Sequence, residues 1–416
     1  MRIFVEAYGC ALNRGEAGEF VSGFMKMGHA LAGSEEEADA FAIFTCGVIE
    51  TTERHMLKRV REFSNISKKP LLVCGCLSNI CPDKILAIAP HAFLVGPAGQ
   101  EGALKYLAGE RTAKASPPSN SVGILPIATG CKGNCSYCIT KNARGALLSR
   151  APDELVERLK LLVASGATEV QLCAQDTGVY GADIGMDLAD LVGALETVDG
   201  DFMMRIGMMN PANLVGNIPR VLKAFESPKV FKFLHLPVQS GSDAILKKMR
   251  RNHTAEDFRN IVNVFRERFP GMAISTDMII GFPGETDADF QMSMDLMRET
   301  KPDIINVTRF SARPGTEAHG MRDKVPGWKA KDRSREMSAL RFSLTSENYG
   351  EMKSDTTKAL ATERRIEGTT FLRTVNYRPV VVKGEVELGR WYNVKITGKA
   401  KTHLNGKLEN PQLQEG

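Results

Sequence analysis

The chain has 416 residues, 43% of them hydrophobic and 25% charged, and its 54 basic and 49 acidic side chains give a net charge of +5. That length suits two or three domains, and the composition is that of a soluble globular protein and excludes a fibrous or disordered one. No apolar run approaches the roughly 18 residues of a membrane span, and the start "MRIFVEAYGC" lacks the basic region, apolar core and cleavage site of a secretory signal. A cytoplasmic protein with no membrane contact is expected, whose nine cysteines stay reduced and serve as ligands, nucleophiles or core filler.

The first 115 residues alternate strand-like and helix-like stretches. "RIFVEAYGC", "ADAFAIFTC", "PLLVCGC" and "AFLVGP" read as strands, with amphipathic segments such as "TTERHMLKRVREF" between them. This is the rhythm of an open parallel α/β sheet. Three of the four strands end in cysteine, at Cys10, Cys46 and Cys76. Ligands of such sheets bind at the carboxyl ends of the strands, so three thiols distant in sequence can converge there. "GERTAKASPPSNS", residues 109–121, reads as a linker. A second βα series spans 122–355, with strands "GILPIAT", "EVQLCAQ", "FMMRIGM", "FKFLHLP", "MAISTDMII" and "IINVTRF". Six parallel strands predict a partial (β/α)6 barrel. "GWKAKDRSREMSALRFSLTSENYGEMKS" follows as a helical connector, and 356–416 carries short β-runs with glycine turns, the pattern of a small OB-like β-barrel.

Just after the first barrel strand stands "TGCKGNCSYCITKNARG", residues 129–145, with Cys131, Cys135 and Cys138 in a C-x3-C-x2-C pattern. Three thiolates cannot fill a tetrahedral zinc site and cannot pair off as disulfides. They can hold three corners of a 4Fe–4S cube and leave one iron open. No P-loop, HExxH or Ser–His–Asp order accompanies them, so hydrolase chemistry has no support.

With Gly130, Gly133 and Tyr137 in place, this stretch resembles the radical-SAM superfamily signature. "YGCALN", "FTCGVIETTERHM", "VCGCLSN", "QDTGVYGADIG", "RIGMMNP", "LPVQSGSDAILKKMRRNHT", "STDMIIGFPGET" and "RFSARPGTEA", in this order, resemble the methylthiotransferase family over nearly the whole chain. "CITKNARG" and "DTGVYGADIG" are similar to its archaeal and eukaryotic branch, which modifies threonylcarbamoyladenosine at tRNA position 37. The resemblance implies three domains: an N-terminal methylthiotransferase domain (1–115), a central radical-SAM domain (122–355) and a C-terminal TRAM domain (356–416).

It further implies two 4Fe–4S clusters, one on Cys131, Cys135 and Cys138 and a second on Cys10, Cys46 and Cys76, with S-adenosylmethionine (SAM) at the open iron of the first. Within "VCGCLSNIC" the family pattern selects Cys76, which leaves Cys74 and Cys81 as buried filler; Cys173, inside a strand, is read likewise. Tyr137 would pack beside the SAM adenine. Gln175, Asp176, Arg205, Gln239, Ser240, Asp277 and Gly281, at or near the carboxyl ends of successive strands, would hold the rest of the cofactor; the competing reading of each is structural. His235 is the histidine nearest this site and reads as structural. Arg313 either contacts RNA or locks its loop.

The expected reaction places a methylthio group on carbon 2 of the adenine, where the C–H bond is too weakly acidic for acid–base chemistry and a radical is required. One SAM methylates a sulfur held on the second cluster and another yields the radical. The partners implied are tRNA, an electron donor of flavodoxin or ferredoxin type and a sulfur source. From Thr357 to Gly416 there are 11 Lys plus Arg and 6 Asp plus Glu, an excess of 5 equal to that of the whole chain. This basic tail suits a polyanion, with Arg364, Arg365, Arg373, Arg378, Lys395, Lys399 and Lys401 as phosphate contacts. Tyr377 and Trp391 are read as barrel packing, with base stacking the alternative. Competing functions are methylthiolation of a ribosomal-protein aspartate, modification of isopentenyladenosine, and a non-catalytic iron–sulfur RNA-binding protein, which would bind RNA without cleaving SAM.

Overall fold

A computed structural model describes residues 1–66, 69–108, 121–350, 352, 354–364 and 366–409. Most of the expected linker, Gly109 to Asn120, and the expected phosphate contact Arg365 lie outside the described residues.

The N-terminal sheet has five parallel strands: β1 (Arg2–Ala7), β2 (Ala30–Leu31), β3 (Ala40–Thr45), β4 (Leu71–Gly75) and β5 (Phe93–Val95). Their order is β2-β1-β3-β4-β5, that of a doubly wound sheet. All six residues of β3 are buried, as a central parallel strand requires when helices cover both faces. Phe20, Phe24, Phe44 and Leu72 form the core on one face, and Phe41, Met56, Val60 and Phe63 on the other. The two-residue β2 was not anticipated; it pairs only at Arg2↔Ala30 and Ile3↔Leu31, too short to leave a periodic trace.

The central unit contains β6 (Val122–Pro126), a small hairpin of β7 (Ala128–Thr129) and β8 (Leu148–Ser149), then β9 (Glu169–Cys173), β10 (Met203–Ile206), β11 (Phe233–His235), β12 (Ala273–Ile280) and β13 (Ile304–Arg309). The six parallel strands anticipated from the sequence are all present. They form two three-stranded sheets, β6-β9-β10 and β11-β12-β13, joined by isolated bridges at Met204↔Val230 and Met208↔His235. One large apolar core fills the space between strands and helices. The 24-residue connector helix Gly327–Gly350 buries Met337, Leu344 and Tyr349.

Five strands close the C-terminal barrel: β14 (Thr356–Glu363), β15 (Thr369–Thr374), β16 (Pro379–Lys383), β17 (Trp391–Lys399) and β18 (Leu404–Leu408). Among the described residues no helix is long and apolar enough to cross a membrane.

Two seams position the functional region. The helix Ala11–Lys26 lies on β6, so close that a Cβ on Gly15 would stand 2.8 Å from Ile124. Buried or half-buried ion pairs Glu16–Arg144, Glu19–Arg150 and Glu53–Arg313 stitch the N-terminal sheet to the central unit. On the other side, Tyr377 of the barrel packs on Phe231 and Phe233 with ring centroids 5.0 Å apart.

Candidate functional site

The loop bearing Cys131, Cys135 and Cys138 grows from the β7 end and is shaped by two glycines. Gly130 has φ +73°, and a Cβ there would lie 1.7 Å from the Ala146 carbonyl oxygen. Only glycine fits. A Cβ on Gly133 would sit 3.3 Å from the Cys131 Sγ and 3.9 Å from the Cys135 Sγ, so the backbone curls around the thiols, and the Gly133 N–H donates to Cys131 Sγ at 3.2 Å. Ser136 ties the loop down, donating from Oγ to the Lys248 carbonyl at 2.8 Å. Burial pushes the Cys131 thiol up, and the neighbouring Cys135 and Cys138 add to it. The Arg251 guanidinium, not anticipated from the sequence, reaches Cys135 Sγ at 3.7 Å.

Cys10, Cys46 and Cys76 occupy the carboxyl edge of the N-terminal sheet. Cys10 caps the helix Ala11–Lys26, Cys46 follows β3, and Cys76 opens the short helix Cys76–Ile80 after β4. Glycines again make room: a Cβ on Gly9 (φ +92°) would lie 3.2 Å from the Cys46 Sγ, and one on Gly75 (φ +91°) 2.6 Å from the Thr45 carbonyl oxygen. Burial pushes the Cys76 thiol up to about 11, opposed by Arg144 and reinforced by Cys10 and Cys46. Asn13 Oδ1 is buried here without a hydrogen-bond partner. Among the described residues no three His, Cys, Asp or Glu side chains converge on a single ion-sized point. An iron–sulfur cube asks for something else: thiols spaced around it, each on a different iron. Both glycine-cleared thiol sets suit that donor chemistry. The other cysteines do not join them. Cys74 is interior to β4 among Phe20 and Phe44, its thiol raised by burial. Cys81 packs against the opposite apolar cluster, and burial pushes Cys173, inside β9, up to about 12.

A cavity of about 340 Å³ opens beside the first triad, walled by Tyr137, Cys138, Gln239, Asp277 and Asn306, and on the N-terminal side by Val48 and Ile49, just past Cys46. Tyr137 is held edge-on to Phe282, centroids 6.4 Å apart. Gln239 adopts φ +78°, a region non-glycine residues seldom enter. It grips β12 there: its N–H donates to the Asp277 carbonyl at 2.9 Å and its carbonyl accepts from Ile279 at 3.0 Å. Across β10, β11 and β12 runs a polar chain. His235 Nδ1 lies 3.5 Å from Arg205 Nη2 and its Nε2 3.2 Å from Asp277 Oδ1, which also accepts from Asn306 at 2.8 Å. Burial acts to raise the Asp277 carboxyl, but His235 and Asn306 more than offset it and hold it low. His235 thus links Arg205 to Asp277. Gln175 Oε1 and Arg205 Nε are buried without hydrogen-bond partners, free valences of the kind a polar cofactor satisfies.

Three expected cofactor contacts also make contacts within the chain. Asp176 accepts from Gly178 N–H (3.0 Å), Asn210 N–H (3.1 Å) and Asn213 Nδ2 (2.7 Å) and so organises its loop. Ser240 is buried against the helix Asp287–Thr300, 3.4 Å from Ser293 Oγ. Gly281 (φ +79°) is demanded by the connector helix, where a Cβ would meet Ala330 Cβ at 2.7 Å, and its N–H donates to Glu285 at 3.1 Å. Arg313 is buried in its pair with Glu53 and locks its loop.

Residues 125–297 match the model of the Radical SAM superfamily, and residues 2–96 that of Uncharacterized protein family UPF0004. A probable threonylcarbamoyladenosine tRNA methylthiotransferase of Archaeoglobus fulgidus is 38% identical, with 100% of both chains covered. The threonylcarbamoyladenosine tRNA methylthiotransferase of Danio rerio is 32% identical over 99% of this chain and 79% of its own. The chain belongs to the threonylcarbamoyladenosine tRNA methylthiotransferase family. In fold, it is similar to the radical S-adenosylmethionine methyltransferase TsrM of Kitasatospora setae, with a TM-score of 0.55 and 13% identity over 76% of this chain and 73% of that one.

The expected phosphate contacts of this family member divide. Lys395 is exposed on β17 directly across from Lys407 of β18. Lys401 is exposed with its Nζ 5.7 Å from the Phe342 ring centroid. Arg364 is paired with Glu385 at 3.6 Å, and Lys399 donates to the Ser346 carbonyl. Arg373 and Arg378 are engaged in contacts within the chain. Arg373 bonds Glu363 at 3.5 Å and covers Tyr377. Arg378 is spent on Asp303 at 2.8 Å and the Gly271 carbonyl at 2.9 Å. Tyr377 packs at the seam with the central unit, and Trp391 is 37% exposed, so it is no core residue.

Proposed function

We propose that the protein attaches a methylthio group to carbon 2 of N6-threonylcarbamoyladenosine at position 37 of tRNA, using SAM and two 4Fe–4S clusters. The observation that carries this reading is the pair of glycine-cleared thiol sets, the first of which puts Cys138 in the wall of a cavity also lined by Val48, two residues past Cys46 of the second. Family membership supports the substrate. In this reading residues 1–115, 122–355 and 356–416 are the methylthiotransferase, radical-SAM and TRAM domains.

When bound, the clusters and SAM supply the radical and the sulfur that is methylated and transferred. The chain's residues do the rest. Cys131, Cys135 and Cys138 hold one cluster and leave an iron open to SAM; Cys10, Cys46 and Cys76 hold the other. Tyr137 offers an aromatic face, while Gln175 Oε1 and Arg205 Nε offer an acceptor and a donor not otherwise used. The Asp277–His235–Arg205 chain fixes the polar wall, and Val48 and Ile49 help exclude water from the cavity. The barrel's lysines grip tRNA phosphates. Electrons come from a flavodoxin- or ferredoxin-type donor, and sulfur from a separate source.

Nucleoside analysis of tRNA by mass spectrometry tests this. A strain lacking the gene should retain threonylcarbamoyladenosine and lose its 2-methylthio derivative, and the wild-type gene should restore it. An unchanged nucleoside profile in the deletion strain overturns the reading.

A further inference from the structure

We propose that Arg144 is a positioning residue that holds the two thiol triads in register and supplies the N–H···S hydrogen bond and compensating positive charge for the cluster on Cys10, Cys46 and Cys76. This rests on the reading that the protein carries two clusters.

The geometry points to it. Arg144 ends the short helix Thr140–Arg144, six residues past Cys138, so its backbone belongs to the first triad's loop. Its side chain, 1% exposed, crosses into the N-terminal domain. Nη1 and Nη2 donate to the two Glu16 carboxylate oxygens at 2.6 and 2.9 Å, and Nε donates to Cys76 Sγ at 3.3 Å. Nη1 also stands 3.4 Å from Thr129 Oγ1, two residues before Cys131. One planar group thus touches the strand leading into one triad and a thiol of the other. Gripped bidentately by Glu16, the fork has a single orientation, and that orientation turns the Nε–H toward Cys76. Asn79, three residues past Cys76, donates to the Ala143 carbonyl at 2.8 Å and holds the backbone beside Arg144 against the same short helix.

Domain docking alone does not call for this. Arg150 pairs bidentately with Glu19 at 2.6 and 2.9 Å on the same N-terminal helix and meets no thiol. What distinguishes Arg144 is a sulfur that must become a thiolate when it binds iron. Three thiolates at one sheet edge repel one another, and Arg144 is a buried cation in contact with one of them, Cys76. Hydrogen bonds to cluster sulfurs and local positive charge favour the reduced cluster and raise its potential.

The test uses the full chain with Cys131, Cys135 and Cys138 replaced by Ala, so that after anaerobic reconstitution the N-terminal cluster is observed alone. Iron content, the EPR spectrum of the reduced cluster and its midpoint potential are measured with Arg144, Arg144→Met, Arg144→Lys and, as a docking control, Arg150→Met. Arg144→Met should shift the potential downward, change the EPR signal and drop retained iron from about four per chain to about one or fewer. Arg144→Lys keeps the charge without the fork and should restore iron and part of the potential. Glu16→Gln breaks the bidentate grip that aims the Nε–H at Cys76 and should change the EPR signal and the potential with iron retained, which decides the matter if the Met variant fails to fold. Arg150→Met should leave potential and spectrum unchanged. If Arg144→Met holds about four irons at the parental potential, or if Arg150→Met moves the potential equally, the proposal is wrong. If the parental three-alanine chain binds no iron, the two-cluster reading itself has failed.

Discussion

His253 illustrates what single side chains contribute beyond the motif. It is buried in the turn before the helix Ala255–Arg268. Burial and the nearby Arg251 depress it to about 4 from an ordinary 6.5, while the Val238 backbone and Asp257 pull the other way. A base with a depressed folded-state pKa binds its proton more readily when unfolded. Its contribution is therefore complete above pH 6.5 and is lost as pH falls toward 4. The loss should be about 2 kcal/mol between pH 7 and pH 5. Urea unfolding of the reduced full-length chain at the two pH values should show it, and His253→Phe should remove most of the difference. An equal pH effect in the variant would assign the acid sensitivity elsewhere. At this scale the sequence is informative only where chemistry is contiguous. Cys131, Cys135 and Cys138 announce themselves by spacing. Arg144 and Arg251 do not, because their thiol partners are Cys76 and Cys135, separated from them by 68 and 116 positions. Asp176 and Ser240 stand at strand ends and also hydrogen-bond to neighbouring loop and helix groups, contacts that periodicity cannot reveal.

Strand ends and the turns that follow them are the elements that make the site. Strand positions were legible because parallel strands buried on both faces read as apolar runs, and the ends follow from where those runs stop. Which glycines matter was less legible, since the need arises from a remote backbone. Gly130 is the clearest case. Its φ of +73° and the 1.7 Å approach to the Ala146 carbonyl couple the triad loop to the hairpin of β7 and β8. Gly130→Ala must move that carbonyl and break the Cys131 N–H bond to Gly145, 3.2 Å in the native loop. Left-handed backbone alone costs an alanine about 1–2 kcal/mol, and the displaced bond adds about 1 kcal/mol. Reconstituted Gly130→Ala should hold about four irons instead of about eight, those on the N-terminal triad surviving. An Ala variant with its full iron complement would show that the loop accommodates the side chain. Gly281 behaves differently although it has the same conformation. The obstacle to its Cβ is Ala330 of the connector helix, so substitution there loosens helix packing rather than thiol geometry.

Assembly of the three units decides what the basic C-terminal barrel can do. The charge excess was legible, but its exposure was not, because the seam draws on residues from both partners. Arg378 reaches Asp303, the Tyr377 hydroxyl bonds Glu169, and Leu360 joins Phe231 and Phe233 in one apolar cluster. Removing the barrel would expose that cluster, so a truncation cannot separate RNA binding from folding. Point changes on the outer face can. Lys395 and Lys407 stand directly opposite each other on β17 and β18, and like charges so placed are mildly destabilising unless an anion lies between them. A lysine that neutralises a phosphate releases a condensed counterion, so affinity falls less steeply with rising salt once that lysine is removed. Lys395→Ala combined with Lys407→Ala should therefore reduce the slope of log affinity against log salt by about 1 to 2, with melting temperature unchanged or slightly raised. Arg378→Ala should do the reverse. It strips Asp303 of its buried partner, which costs about 3–5 kcal/mol, and should leave the salt slope of the folded fraction as it was. Filter binding of tRNA across a salt series, with thermal melts of the same preparations, distinguishes the two classes. If the lysine pair leaves the slope untouched while Arg378→Ala flattens it, the tRNA lies across the seam rather than on the outer face of the barrel.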